Sequence, residues 1–432
     1  NLDALAARGT RFAMARSPSP WTLPSHTTML TGLLPLEHGV VDDRSANHSP
    51  MLQSRLQEAG YATAGFVTSI FVGRRYGFDT GFDDFTDFGV RTKKSNLERT
   101  PNAERLVNKA LDWLQEREGE SAFVFLHLYD VHYPYDAPDG FDRQFDRPST
   151  DDELTYKKYF HYLKHPLSPE QMEHQKAQYD EEIAYVDQQL GRLIEAYGER
   201  EVIFIVTADH GEEFGERGSW GHGHTLGPEQ LHVPLIISGA GPAGVVETAV
   251  GLQDIAPTLA ELGGVEALGS GMSLVPALSG EPLPERAFVC DTSRFSTNRL
   301  GVYQAGDRVD WDLTQDLRVL TSDPDELLPV QDPVREQELL AHAFALLGSP
   351  WSAQEPVSIG RGVALIDGAL SSEGVGDFAV VPSDAMVGEW SVRTPPPVDA
   401  GVAYRGLLEG GVDLSPEERQ ALEALGYIQG DP

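Results

Sequence analysis

The residues with chemical potential fall in four short stretches. Thr22 stands in Ser17-Pro18-Ser19-Pro20-Trp21-Thr22-Leu23-Pro24-Ser25-His26, ahead of a run Ser25 to Leu30 that reads as a short helix stopped by Gly32. Pro18 and Pro20 keep the chain extended before Trp21. That places Thr22 where an N-cap stands, with its hydroxyl among the free N–H groups and the helix dipole that favour anionic oxygen. Alone, such a threonine is a cap and nothing more. Asp209-His210, in Thr207-Ala208-Asp209-His210-Gly211-Glu212-Glu213, is an adjacent acid and imidazole that can ligate one divalent cation, and Gly211 permits a sharp turn away. Tyr129-Asp130-Val131-His132 and Trp220-Gly221-His222-Gly223-His224 add three more histidines. Each stretch is weak by itself. Together they describe a site for a cation and an anionic group.

The elements around these stretches say why they should meet. Asp209-His210 follows the apolar run Glu201 to Thr207, and the His132 stretch follows Ala122 to Leu128. Both runs are nearly continuous in apolar residues, as expected of strands buried on both faces. Tyr61 to Val67 and Val233 to Ile237 read as further strands, and Leu2 to Arg8, Met51 to Ala59, Leu106 to Leu114 and Pro169 to about Tyr197 read as helices. Strands alternating with helices predict an α/β fold, a large mostly parallel central sheet flanked by helices. Ligands in such sheets collect beyond the C-terminal ends of the strands, where these loops lie. A smaller C-terminal α+β subdomain is expected over residues 281–432, beside a catalytic domain over 1–280, with Pro416 to Leu425 as an amphipathic helix.

Composition bounds the partners. A chain of 432 residues carries a formal net charge of −34, which argues against binding nucleic-acid backbones or anionic membranes. No apolar run approaches the length of a membrane span. Cys290 is the single cysteine, so an intrachain disulfide is excluded and the compartment stays open.

The motifs resemble those of the sulfatase family, in the alkaline phosphatase superfamily. Thr22-Leu23-Pro24-Ser25-His26 falls on the signature Cys/Ser-x-Pro-Ser-Arg, followed by Leu30-Thr31-Gly32 and His38-Gly39-Val40. Ala208-Asp209-His210-Gly211-Glu212, Trp220-Gly221-His222, Val233-Pro234-Leu235 and Asp254-Ile255-Ala256-Pro257-Thr258 match later segments. The likeness covers nearly all of the chain except about residues 335–410. It implies that Thr22 is the nucleophile and a metal ligand, that Asp209 and His210 are metal ligands, and that His132 lies near the leaving-group oxygen. His222 would fall where many members carry a sulfate-contacting lysine, and Ser25, His26 and His224 would contact substrate. The family's remaining metal ligands would lie on a first strand ahead of Asn1.

The departures from the pattern are as informative. Sulfatases convert their Cys or Ser to formylglycine, and threonine is not a substrate for that conversion. His26 replaces the usual arginine, and Thr68 to Arg75 holds no counterpart of a usual substrate lysine. Threonine members of the superfamily act on phosphorus, with a divalent cation lowering the hydroxyl pKa and an imidazole protonating the leaving oxygen. The expectation is a metal-dependent hydrolase of sulfate or phosphate esters, favouring phosphodiesters and phosphonate esters, with Ca²⁺, Mn²⁺ or Zn²⁺ as cofactor. The alternative is a catalytically silent protein of the same fold that keeps an anion pocket.

Overall fold

The computed structural model describes residues 1–87, 103–145, 167–197, 201–313, 315, 317–322, 328–346, 357–358, 364–366 and 369–371. The expected helix at 416–425 lies outside them. Helix α1 (Leu2–Arg8) buries Leu5 and hands over at Gly9 to strand β1 (Thr10–Arg16). A side chain at Gly9 would put its Cβ 2.6 Å from the Ile237 carbonyl, so only glycine lets the backbone pass so close to the neighbouring strand. β1 is one of the strands that pattern reading missed, with those at Asp84–Asp87, Gly244–Val246 and Val250–Gly251 below. Its Arg11-Phe12-Ala13-Met14-Ala15 run has two alanines in place of the branched and aromatic residues that mark strands.

The site helix α2 (Thr22–Thr31) follows, then α3 (Leu52–Glu58), β2 (Ala62–Val67), β3 (Asp84–Asp87), α4 (Ala103–Glu116), β4 (Ala122–Leu126), α5 (Pro169–Tyr197) and β5 (Phe204–Thr207). A hairpin of β6 (Glu213–Phe214) and β7 (Trp220–Gly221) leads to β8 (His232–Ser238), β9 (Gly244–Val246), β10 (Val250–Gly251) and α6 (Ile255–Leu262). The strands lie in the order β10-β1-β8-β5, with β9 also on β1, and in a second group β3-β2-β4. β1 runs parallel to β9 and β10, and β2 runs parallel to β3 and β4, whereas β8 is antiparallel to both β1 and β5. Parallel pairing therefore predominates among the described strands of these two groups. Among the described residues, no helix is long and apolar enough to cross a membrane.

One burial expectation is corrected. β4 and β5 are half-buried along their length, not buried on both faces. Among the described residues β4 pairs only with β2, and β5 only with β8, so each has one strand neighbour.

The C-terminal unit is an antiparallel sheet, β11 (Phe288–Thr292), β12 (Arg299–Gln304), β13 (Asp307–Asp312), β14 (Leu317–Thr321) and β15 (Pro329–Val330), with helix α7 (Pro333–Leu346) on one face. Val302, Val309, Trp311, Leu339 and Leu340 form its core, and Leu34, Leu36 and Val41 from the site region pack into the same cluster. Two hydrogen bonds fasten it to the stretch ahead of Thr22: Asp291 N–H donates to Pro18 O (2.9 Å), and Ser19 Oγ donates to Asp291 O (2.8 Å). The sheet thus braces the loop that delivers Thr22.

Candidate active site

Thr22 is the first helical residue of α2, not its N-cap; Trp21 holds that position and makes no side-chain cap bond. The shift of one residue leaves the dipole argument intact, because the first-turn N–H groups have no capping side chain and Pro24 brings none. All ten residues of α2 are buried, and Gly32 ends it in the left-handed conformation at φ 70°. A Cβ there would also meet the Leu268 carbonyl at 2.6 Å. The helix is therefore held on all sides, with its N-terminus fixed.

The next turn of α2 ties it to the acid–imidazole loop. Ser25 Oγ donates to Asp209 O at 2.7 Å. His26 Nδ1 lies 2.9 Å from Thr22 O and 3.3 Å from Asp209 Oδ2. Beyond β5, His210 donates Nδ1–H to Gly211 O (2.8 Å), which leaves its Nε2 lone pair 3.5 Å from Asp209 Oδ2. Burial pushes the Asp209 carboxyl up, but His210 and His26 beside it hold it well below the usual carboxylate range. Gly211 is obligatory, since a Cβ would sit 2.1 Å from Glu229 O.

These atoms fit a cation by their chemistry. Two electron-pair donors, Asp209 Oδ2 and His210 Nε2, face each other at a distance that is repulsive without positive charge between them. The backbone bond on Nδ1 is the usual orienting bond of a metal-bound histidine. Asp209 and His210, with Thr22, are the residues that would hold it. They are a partial set: among the described residues, no group of three or more His, Cys, Asp or Glu forms a cation cage.

His132 and His222 join this cluster. The His222 ring lies 4.2 Å from that of His210 and 5.1 Å from that of His132. Its Nδ1–H donates to Glu212 Oε1 (2.8 Å), and Tyr135 donates its hydroxyl to Glu212 Oε2 (2.8 Å), so Nε2 is left for the pocket. His132 donates Nδ1–H to Tyr133 O (2.7 Å), stacks on Tyr129 at 4.3 Å and holds Nε2 3.4 Å from the Tyr129 hydroxyl. His224 is placed differently: its Nε2–H donates to buried Glu213 (2.8 Å).

Burial, then the neighbouring His222, lowers His132 to about 3; burial and His210 take His222 well below its usual value. The titration near neutrality expected of His132 is thus not a property of the protein alone, in which the His132 and His222 rings are neutral at pH 7. An anionic guest raises an imidazole pKa, so His132 can take up a proton once such a guest is beside it.

Four site residues escaped the sequence reading. His127, at the end of β4, packs its ring 4.9 Å from His26 and lies beside Thr68; inside Phe125-Leu126-His127-Leu128 it looks like a core residue. Arg294, from the turn after β11, reaches over the rings of Trp21 (4.6 Å) and Phe71 (5.3 Å), and its charge contributes to lowering His222. No local signal announces it, because 272 residues separate it from Thr22. Glu212 was visible within Asp209-His210-Gly211-Glu212 but reads as part of an acidic turn. Glu182 lies in the middle of a polar helix, yet it is buried against the His132 loop.

Comparison with known proteins identifies the family. The sulfatase family model matches residues 1–265, a span that contains Thr22, His132, Asp209, His210, His222 and His224. A choline-sulfatase of Rhizobium meliloti (strain 1021) is 27% identical over 341 residues, covering 65% of this chain and 66% of that protein. An arylsulfatase of Clostridium perfringens (strain 13 / Type A) is 24% identical, covering 60% of this chain and 68% of its own length. The chain spans just under two thirds of the length of the first curated relatives it matches, at 66%, 63% and 64%. A phosphonate monoester hydrolase from Silicibacter pomeroyi superposes with a TM-score of 0.63 at 20% identity, over 80% of this chain and 89% of that one. The fold is the alkaline phosphatase-like α/β architecture with an attached C-terminal sheet.

Proposed function

This chain belongs to the sulfatase family, and from that premise we propose that it is a metal-dependent hydrolase of sulfate or phosphate esters with Thr22 as nucleophile. The observation that carries the reading is the join between the Thr22 helix and the Asp209 loop, made by Ser25 and His26. It ties the helix that starts at Thr22 to the loop that carries Asp209 and His210, a tie that a capping threonine does not need.

In the proposed reaction the Thr22 oxygen attacks the phosphorus or sulfur of the ester while the ester oxygen leaves in line. His132 and His222 handle the protons through Nε2: His222 removes the hydroxyl proton, and His132, protonated from solvent once the bound anion has raised its pKa, delivers that proton to the leaving oxygen. Attack by water then releases the acid and restores Thr22. Arg294 and the N-terminus of α2 draw the anion in. A divalent cation held by Asp209, His210 and Thr22 would supply the positive charge that lowers the hydroxyl pKa and offsets charge on the transferred group. Because threonine is not converted to formylglycine, the nucleophile carries one hydroxyl only, which favours phosphodiesters and phosphonate esters over sulfates.

The test is a comparison of aryl phosphodiester, phosphonate ester and sulfate with the full-length protein loaded with Ca²⁺, Mn²⁺ or Zn²⁺. The phosphorus esters should turn over faster, independently of any formylglycine-generating enzyme in the host. Thr22→Ala should remove nearly all activity and Thr22→Ser should keep part of it. Wild-type turnover by Thr22→Ala would make Thr22 a structural residue and water the attacking group. No turnover of any ester, with phosphate still bound, would favour the silent anion-binding protein.

A further inference from the structure

The loop that carries His132 is held by one side chain from a distant helix. Glu182, in the middle of α5, is buried, and its carboxylate accepts three backbone N–H groups: Val131 (2.8 Å) and His132 (3.2 Å) on Oε2, and Asp136 (2.8 Å) on Oε1. Between them the backbone is strained, for Val131 has φ 84°. A β-branched residue in the left-handed region costs on the order of 1–3 kcal/mol and persists only where its surroundings enforce it. Three backbone N–H groups converging on one buried carboxyl group are such an enforcement.

The loop in turn fixes the imidazole. His132 bonds its own loop through Nδ1–H to Tyr133 O (2.7 Å), so the direction of Nε2 follows the backbone of residues 131–133. Burying a carboxylate merely to stabilise a loop is costly; burial drives Glu182 up to about 8, against the three N–H groups that favour its ionised form. We propose that Glu182 is the positioning residue for His132, fixing through the backbone of residues 131–136 where Nε2 meets the leaving oxygen. The proposal rests on the reading of His132 as the group that handles that oxygen's proton.

A positioning role and a purely structural one differ in what they do to the leaving group. An alkoxide leaves only with a proton, whereas a p-nitrophenolate leaves without one. In the Mn²⁺-loaded full-length protein, Glu182→Gln should therefore lower kcat about tenfold to a hundredfold on an alkyl phosphonate ester, within the range of general-acid effects. On the p-nitrophenyl ester the loss should stay below about threefold, with KM little changed. Equal losses on the two esters, or no loss on either, would overturn the proposal. Amide hydrogen exchange supplies a readout that needs no catalysis: Val131, His132 and Asp136 should exchange faster in Glu182→Gln while amides of β2 and β8 do not. If His132→Ala shows no leaving-group dependence, the reading of His132 fails, and unchanged exchange at those three amides would then overturn the hold of Glu182 on the loop as well. Should Glu182→Gln not fold, Glu182→Asp, with its carboxyl group kept and its reach shortened, is read by the same ratio of the two esters.

Discussion

Two histidine–glutamate pairs sit side by side on the β6–β7 hairpin, each with a 2.8 Å bond, and their surroundings give them opposite tasks. Glu212 and Glu213 are neighbours in sequence, so strand alternation sends them to opposite faces. Glu213 is fully buried, and besides His224 it receives Gln230 Nε2 (3.1 Å) and Thr225 Oγ1 (3.4 Å). Glu212 receives His222 and the Tyr135 hydroxyl, and His222 stands against His210 and His132. One pair closes a polar network beneath the hairpin; the other orients an imidazole into a cluster that includes His210, proposed above as a cation ligand. A histidine–carboxylate bond alone is therefore poor evidence of catalysis. What decides is where the second ring nitrogen faces: Nε2 of His222 is left for the pocket, whereas Nδ1 of His224 is buried without a hydrogen-bond partner among the described residues.

The largest effect expected on this contrast comes from removing the ligand that gives the pocket side its charge. Asp209→Ala should abolish the rescue of chelated protein by a divalent cation, because the cation loses the carboxylate that offsets its charge. Cation titration of activity measures this, and unchanged dependence would separate the His222 pair from any metal chemistry. Next comes the contrast itself. His222→Ala should lower kcat by about a hundredfold or more, in line with the loss of a proton-transfer group. His224→Ala should leave kcat within about threefold and instead cost roughly 1–3 kcal/mol of stability, since Glu213 loses a partner in a buried network. Denaturant unfolding beside steady-state kinetics reads both, and equal kcat losses would erase the distinction. A smaller effect is expected of Glu212→Gln, about tenfold on kcat, because the amide can still meet one donor but orients the imidazole less firmly. A kcat unchanged in that variant would mean that packing against His210 suffices to hold the ring.

The same contrast measures how far the sequence could be read. Strands β2, β4, β5 and β8 and helices α1 to α5 were legible because apolar period, glycine stops and length agree there. That the Thr22 helix and the Asp209-His210 loop meet was legible because the loop follows such a strand, on the side of the sheet where ligands gather. β1 was not, since its alanines carry no strand signal, and the half-burial of β4 and β5 is a property of their neighbours rather than of their own residues. Arg294 and Glu182 reach the site through tertiary packing, and no spacing rule connects them to Thr22 or His132. The different tasks of His222 and His224 were equally invisible, because both follow glycine in Gly221-His222-Gly223-His224 and a regular strand would send residues two apart to one face; here the left-handed turn at Gly223 (φ 89°) lies between them.

The smallest expected effect tests the electrostatic side of the contrast, through stability and not turnover. His222 is held well below its usual pKa by burial and then by His210, and burial lowers His132, His127 and His38 to about 3. For a base depressed by folding, the unfolded chain binds a proton below about pH 6.5 while the folded protein does not. Its contribution is therefore complete above that pH and is lost as the pH falls, by roughly 1 kcal/mol per pH unit and per group. Glu182, raised to about 8 by burial, has the opposite sign: between its unfolded value and 8 the folded protein holds the extra proton, and stability declines as the pH rises. From pH 6.5 down to 5 the four histidines outweigh the one glutamate, so stability should fall on acidification. Above 6.5 the glutamate acts alone among these five, and a shallow decline should appear. His222→Gln removes one histidine from the first window, so the slope of unfolding free energy against pH should drop there by roughly 1 kcal/mol per unit and stay unchanged above 6.5. Adding inorganic phosphate should flatten the wild-type slope in the same window, because the bound anion raises the imidazoles towards their unfolded value. An unaltered slope in His222→Gln would mean that this ring titrates as freely folded as unfolded, and the hairpin's two faces would then differ in packing alone.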